Sequence, residues 1–322
     1  MKQPARFTTP LGAAALVLVL ALGVATGCGG SSNAADDAEA DPATDKLAQV
    51  LSRGTLVLST DLEYPPQSMA VAGATRPRDT KCADNQLTAD QVEGYDADTG
   101  KLIAEKLGVE ACFVTPTWTE ITGGNWGDRW DISYGSGSVN ADRMQRLYMT
   151  QPYYAVPNVY FVASSSPAQH AGDLDGKRIG ACSGCSHEAY LKGELEIPGV
   201  EITPSVKSPR IVTFAAEGPG LEAAAGGKID AFLAAAPVGA EAIDAGTDAR
   251  PLPEIAFTYY PSGFVDRSSG LSVAAFVASV DEIVQGLHAD GTLKELSLKW
   301  FAEDYASAAA EYDVAALEQE VQ

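Results

Sequence analysis

Basic residues are scarce in this chain: 22 Lys and Arg stand against 43 Asp and Glu, a formal net charge of −21 over 322 residues. So acidic a surface repels polyanions, which excludes nucleic acid and anionic lipid headgroups as surface partners. Histidine is scarcer still, with only His170, His187 and His288. No nucleophile–base pair and no metal-ligand spacing stands out, so no catalytic residue, metal or cofactor is expected. Long apolar runs are also lacking. The one clear run, Leu11 to Val24, holds 14 residues, where a membrane-spanning helix needs roughly 20.

That run has a different meaning. Lys2 and Arg6 precede it and Ala25-Thr26-Gly27-Cys28 follows it, the basic, apolar and small-residue order of a secretory signal. The ending resembles a bacterial lipobox, with Ala25 where Leu is commoner. Residues 1–27 are therefore expected to be a lipoprotein signal peptide, and Cys28 the lipidated first residue of the mature chain. Residues 28–45 begin with small and acidic side chains that bury nothing, which predicts a flexible tether. The body is expected outside the cytoplasm, anchored to the cell membrane by lipid, at the periplasm or cell surface.

Export puts the remaining four cysteines, Cys82, Cys112, Cys182 and Cys185, in an oxidising compartment where disulfides persist. Four cysteines allow three pairings; the set taken here is Cys82–Cys112 with Cys182–Cys185. The Cys-Ser-Gly-Cys spacing also fits a thioredoxin-like redox pair, although no thioredoxin-sized βαβ context surrounds it.

Apolar patterning predicts a helix ending near Leu47–Leu51, then a buried strand over 54–60. The prolines of Asp61-Leu62-Glu63-Tyr64-Pro65-Pro66 carry the chain out of the sheet, into a polar loop over 72–92. A helix carrying Leu102, Ile103 and Leu107 stops at Gly108. Strands are predicted at 109–114 and 131–134, and Asn140 is placed to cap a helix starting at Ala141. Val159–Ala163 is a further β-rich run. A second α/β series starts at Leu174–Gly180 and continues through a helix near Leu221–Ala225 and a strand over 229–234. Two helices close the chain, Leu271–His288 and Leu293–Phe301. Strands alternating with helices imply parallel α/β sheets.

Several motifs recur in a telling order. They are Ser59-Thr60-Asp61 with Tyr64-Pro65-Pro66, Gly94-Tyr95-Asp96-Ala97-Asp98, Asp131-Ile132-Ser133, and Ser138 through Arg143. After these come Gln151-Pro152-Tyr153-Tyr154, Leu174 through Gly180, Gly227-Lys228-Ile229-Asp230-Ala231, Ala289 through Leu293, and Lys299-Trp300-Phe301. Together they resemble the extracellular solute-binding proteins of polar amino acid ABC importers, from about Gly54 to Tyr305. The resemblance implies an α/β, periplasmic-binding-protein-like fold of type II, with two lobes joined by two hinge strands. Lobe 1 would comprise 46–157 plus 266–322 and lobe 2 158–265, with crossings at Val159–Ala163 and Pro261–Asp266. It also implies a monomer without enzymatic activity that captures a small carboxylate or amino acid for an ABC permease and its ATPase.

Arg143 is the first candidate contact, since a guanidinium holds a carboxylate with two parallel hydrogen bonds and the matching family arginine grips the ligand's α-carboxylate. Ser136 and Ser138 would complete a carboxylate cradle, or form a plain turn. Gly184, Cys185 and Ser186 precede a helical stretch at His187–Leu191 whose free amides suit an anion, unless they only cap it. Asp61 would accept a ligand donor. Tyr64 is either a cleft wall or core, as is Trp118. Asp96 reads as a structural acceptor. At the position where the family places the acid for the α-ammonium, this chain has Ala235. Either another acid such as Glu217 substitutes, or the ligand lacks the ammonium. Two other functions fit the same fold: a sensory protein reporting to a membrane receptor, and a dehydratase-like enzyme using Glu217 or Glu188 as an acid.

Overall fold

The structure, a computed structural model, describes residues 40–315; the expected signal peptide, Cys28 and most of the expected tether lie outside them. The tether's last residues are ordered. Thr44 and Asp45 donate to the Asp41 carbonyl in a turn, and Ser272 donates to Thr44. The Asp45 carboxylate then accepts the Ala48 N–H at 2.9 Å, satisfying one orphan donor of helix α1 (Lys46–Arg53). Gly54 ends that helix in the left-handed conformation, φ 72°, and feeds strand β1 (Thr55–Ser59), buried along its length.

From there the chain lays down β2 (Met69–Ala70), β3 (Leu87–Thr88), β4 (Val92–Glu93), α2 (Tyr95–Lys106), β5 (Glu110–Val114) and α3 (Trp118–Gly123). β6 (Ile132–Ser133), α4 (Ala141–Met144) and β7 (Leu147–Met149) follow. β8 (Val156–Ala163) opens a second sheet, continued by β9 (Arg178–Cys182), α5 (Ser186–Lys192), β10 (Arg210–Phe214) and α6 (Glu217–Ala225). That series ends with β11 (Ala231–Ala235), α7 (Ala236–Asp244) and β12 (Ala249–Tyr259). The chain then returns as β13 (Phe264–Asp266), α8 (Ala274–Ala289) and α9 (Thr292–Phe301). The first sheet has the order β3-β5-β1-β6-β13-β7 and the second β10-β9-β11-β8-β12.

Neither sheet is wholly parallel. β1 runs parallel to β5 and β6, and β9 to β10 and β11. β13 is antiparallel to β6 and β7, and β8 is antiparallel to β11 and β12. β3 is antiparallel to β5 at one edge, and the other antiparallel pairings are made by β8 and β13, the strands that follow the two passages of the chain between sheets. These passages are bonded to each other: Thr150 donates to Gly263, Tyr153 to Pro261, and the Ser262 hydroxyl to Thr150 at 2.7 Å. Val159–Ala163 lies within the second sheet, so the first passage is Thr150–Ala155; Phe264–Asp266 lies within the first sheet, so the second is Tyr260–Gly263.

β12 has no counterpart in the sequence pattern because Pro251 and Pro253 interrupt it. It is an edge strand whose register shifts between Pro251 and Ile255, and edges and bulges are where a strand tolerates proline. α8 starts at Ala274 rather than Leu271. Its buried stripe is Phe276, Val280, Val284 and Leu287, with Val277 only partly covered. Both expected disulfides, Cys82–Cys112 and Cys182–Cys185, are formed.

Candidate functional site

Loops at the carboxyl ends of strands from both sheets face one cavity, where open α/β sheets bind ligands in general. β1 leads to Asp61, Glu63 and Tyr64, and β6 leads to Gly135, Ser136 and Ser138. β9 leads to Cys182, Cys185, Ser186 and His187, β10 to Ala215, Ala216 and Glu217, and β12 ends at Tyr259. Trp118 and Arg143 complete the lining, and the cleft holds about 590 Å³ including its open mouth. Direct bonds join the two sides: Trp118 Nε1 to the Gly184 carbonyl at 3.2 Å, Ala141 N to Glu196 O at 3.0 Å, and Tyr312 OH to Pro198 O at 2.8 Å.

Arg143 dominates one wall. The Asn140 side chain caps α4 by accepting the Arg143 N–H at 2.8 Å, as its sequence position predicts, which sets the direction of the side chain. The residue is only 4 % exposed. Its Nη1 donates to the Ser138 carbonyl at 2.9 Å and its Nη2 to the Gly184 carbonyl at 3.3 Å. The guanidinium lies 5.0 Å from the Trp118 ring centre. Of five N–H donors, three find no acceptor among the described residues, and no carboxylate there comes within ion-pair distance of it. Burial lowers its pKa to about 10, so it stays charged at neutral pH. A buried, unpaired cation is costly, and a bound anion relieves that cost.

Across the cavity is a cluster that sequence spacing does not reveal. His187 Nε2 lies 2.6 Å from Asn158 Oδ1. The Asn158 amide is oriented by its own Nδ2, which reaches the Val156 and Phe257 carbonyls. Asn158 Oδ1 is thus the acceptor, so Nε2 carries the proton and Nδ1 presents a lone pair. Nδ1 is 3.5 Å from Glu217 Oε1. Burial, and then Arg143, lowers the His187 pKa to about 3, so the ring is neutral. Burial raises Glu217 to about 8, with the Tyr64 hydroxyl opposing. The second carboxylate oxygen of Glu217 is buried without a partner, as is the Ser186 hydroxyl. Tyr64 OH sits 3.5 Å from Glu217 Oε1 and 3.1 Å from Tyr259 OH. Ala235, at the end of β11, is fully buried and brings no charge to the cavity.

Nine of the ten residues expected at the site line the cavity, though not all as anticipated. Ser136 turns its hydroxyl inward, donating to Asp96 at 2.6 Å and meeting Tyr154 OH at 2.6 Å. Its side chain therefore anchors the loop instead of serving a cradle. Asp96, which also accepts from Tyr153 OH, is the structural acceptor expected, and burial raises its pKa to about 7. Gly184 is not in the lining. Its amide donates to Glu188 at 2.7 Å and its carbonyl takes Arg143 and Trp118, so the free-amide role at that residue does not hold. The first helical amides, of Ser186 and His187, have no acceptor within α5. Trp118 and Tyr64 are half-buried walls and not core. His187, Tyr259, Cys182, Gly135, Glu63, Ala215 and Ala216 are additions; of these, a histidine just past a Cys-x-x-Cys turn was the one visible signal.

Known proteins agree with this architecture. The L-cystine-binding protein TcyJ of Escherichia coli K12 is 23% identical over 260 residues, covering 80% of this chain and 86% of its own length. Among solved structures, the fold matches an ancestral amino acid-binding protein described as a precursor of cyclohexadienyl dehydratase, with TM-score 0.62, 22% identity, and coverage of 80% of this chain and 99% of the other. It also matches an amino acid ABC transporter substrate-binding protein of Streptococcus pneumoniae bound to L-arginine, with TM-score 0.62, 20% identity, and coverage of 82% and 99%. Residues 57–303 match the bacterial extracellular solute-binding proteins, family 3, and the chain belongs to that family.

Proposed function

We propose that this protein captures a small α-amino acid in the cleft and presents it to an ABC permease and its ATPase. The observation that carries this reading is Arg143, a buried guanidinium that lines the cavity and meets no carboxylate among the described residues. A ligand carboxylate supplies the missing anion through the free N–H groups. Glu217 is the acid that takes the α-ammonium in place of the residue absent at Ala235. Glu217 lines the same cavity and keeps one buried oxygen without a partner, and a cation beside it brings its pKa down. Tyr64, Trp118 and Tyr259 wall the remaining space, Asp61 stands at the rim, and the Ser138 carbonyl holds the guanidinium in aim. Residues 46–157 with 266–322 and residues 158–265 are the two lobes, moving about the paired passages at 150–155 and 260–263. Lipidation at Cys28 keeps the protein, a monomer, at the outer face of the cell membrane.

The test is calorimetry with a panel of amino acids and simple carboxylates against wild type and Arg143→Ala. Truncating one partner of a buried charge pair costs about 2–5 kcal/mol, so the variant should bind at least about 30-fold more weakly. Unchanged affinity removes the carboxylate role. One observation favours a second reading. A carboxylic acid that is protonated at neutral pH, as Glu217 is with its pKa raised to about 8, can act as a general acid. The dehydratase connection of one structural relative fits this. Turnover of a bound hydroxylated carboxylate, lost in Glu217→Gln, would decide for catalysis; recovery of the ligand unchanged decides for transport.

A further inference from the structure

The carboxyl end of β9 carries three donors, Cys182, Cys185 and His187, to which solute capture assigns no role, beside Glu217, which it shares. Cys182, Cys185 and His187 place one ligating atom each within 4.8 Å of one another. Cys182 Sγ is 3.6 Å from His187 Nδ1 and 4.0 Å from Glu217 Oε1, and Nδ1 is 3.5 Å from that same oxygen. These separations can be compared with a metal tetrahedron. With Zn–S of about 2.3 Å and Zn–N or Zn–O near 2.1 Å, tetrahedral angles set donors apart by about 3.6 Å for N and S, 3.4 Å for N and O, and 3.6 Å for S and O. Three of the four donors already stand within about 0.4 Å of that arrangement. The fourth, Cys185, is held against Cys182 by the disulfide, and two residues between cysteines is the spacing by which both thiolates reach one metal.

The surroundings fit as well. His187 offers Nδ1 as a lone pair because Asn158 holds the proton-bearing Nε2 at 2.6 Å, the outer-shell arrangement that orients metal-binding imidazoles. Glu217 keeps one buried oxygen without a partner. Cys182, His187 and Glu217 are buried, while Cys185 is half-exposed and opens onto the cavity, which gives an entry path. Two soft sulfurs with one imidazole nitrogen and one carboxylate oxygen suit Zn2+.

We propose that Cys182, Cys185, His187 and Glu217 form a reduction-gated site for a thiophilic divalent cation such as Zn2+. A protein dithiol supplies two electrons and two protons, breaking the Cys182–Cys185 bond and becoming a disulfide itself. The cation then displaces the two thiol protons and the Glu217 carboxyl proton, forming two metal–sulfur bonds beside the bonds to His187 Nδ1 and the Glu217 carboxylate. Metal binding is thereby coupled to redox state and releases protons. The inference rests on the geometry of these four side chains and not on the identity of the solute.

The experiment titrates Co2+, then competing Zn2+, into the purified protein before and after reduction by a dithiol, with circular dichroism recording whether reduction preserves the fold. Expected are no binding in the oxidised protein, and one Co2+ per reduced chain with thiolate charge-transfer and tetrahedral d–d absorption, displaced by Zn2+. Cys185→Ser removes a half-exposed ligand, and His187→Gln a buried one, while both leave Cys82 and Cys112 intact. Loss of an outer-shell partner alone weakens metal sites about 10- to 100-fold, so each ligand variant should lose at least that much. Equal binding by oxidised and reduced protein, no binding by the folded reduced protein, or undiminished binding by Cys185→Ser each overturns the proposal.

Discussion

The pH dependence of ligand affinity follows from Glu217 and can be worked out in advance. In the free protein its pKa is raised to about 8, chiefly by burial, whereas a bound α-ammonium requires the ionised form. With the bound-state pKa well below 6, the apparent association constant scales with the ionised fraction, about 1% at pH 6, 9% at pH 7 and 50% at pH 8. Affinity for an amino acid should therefore rise about ninefold from pH 6 to 7 and about fivefold from pH 7 to 8, then level off. At pH 7 the un-ionised state costs about 1.4 kcal/mol of binding, and each binding event releases about 0.9 proton. Calorimetry in two buffers of different ionisation enthalpy measures that proton directly. His187 does not interfere, since its pKa lowered to about 3 keeps it neutral throughout. Asp96 titrates near pH 7 but its carboxylate is bonded to Ser136 and Tyr153 and it does not line the cavity. Glu217→Gln isolates the effect, and should flatten the profile while weakening ammonium-bearing ligands. A wild-type affinity that does not change between pH 6 and 8, or that falls as pH rises, refutes the assignment; the second result would mean that Glu217 donates its proton to the ligand.

Two further predictions concern the scaffold. Breaking the Cys82–Cys112 bridge opens a span of 30 residues, for which loop entropy predicts a loss of about 3–4 kcal/mol; denaturant unfolding of the double serine variant checks this, and a loss under about 1 kcal/mol would contradict it. At Gly137 a Cβ would stand 2.2 Å from the Phe264 ring, in the loop that carries Ser136 and Ser138. Gly137→Ala should destabilise by about 1–3 kcal/mol and weaken ligand binding by shifting the Ser138 carbonyl away from Arg143, and an unaltered melting temperature would show that the ring yields freely.

Much of the body is legible in the sequence because it depends on neighbours along the chain. The Asn140 cap, the helix stop near Gly108, the buried run of β1 and the stripe of α8 are local, set by dihedral preference and periodicity. What was illegible is long-range or lies against the pattern. β12 was hidden by Pro251 and Pro253, which only an edge strand accommodates. Ser136 looked available until its bond to Asp96, 40 residues earlier, took its hydroxyl.

The sequence by itself determined which segments become strands and helices, where they stop, and that an arginine follows a capped turn, because each is a short-range consequence of side-chain shape and hydrogen-bonding capacity. Only the tertiary structure decided the charge state and company of that arginine and of its counterpart. Asn158, His187 and Glu217 come from three elements of the second sheet region, and it is their joint removal from water that neutralises the histidine, protonates the carboxylate and leaves Arg143 facing them unpaired. Desolvation is a property of the packed whole, and no stretch of chain carries it alone.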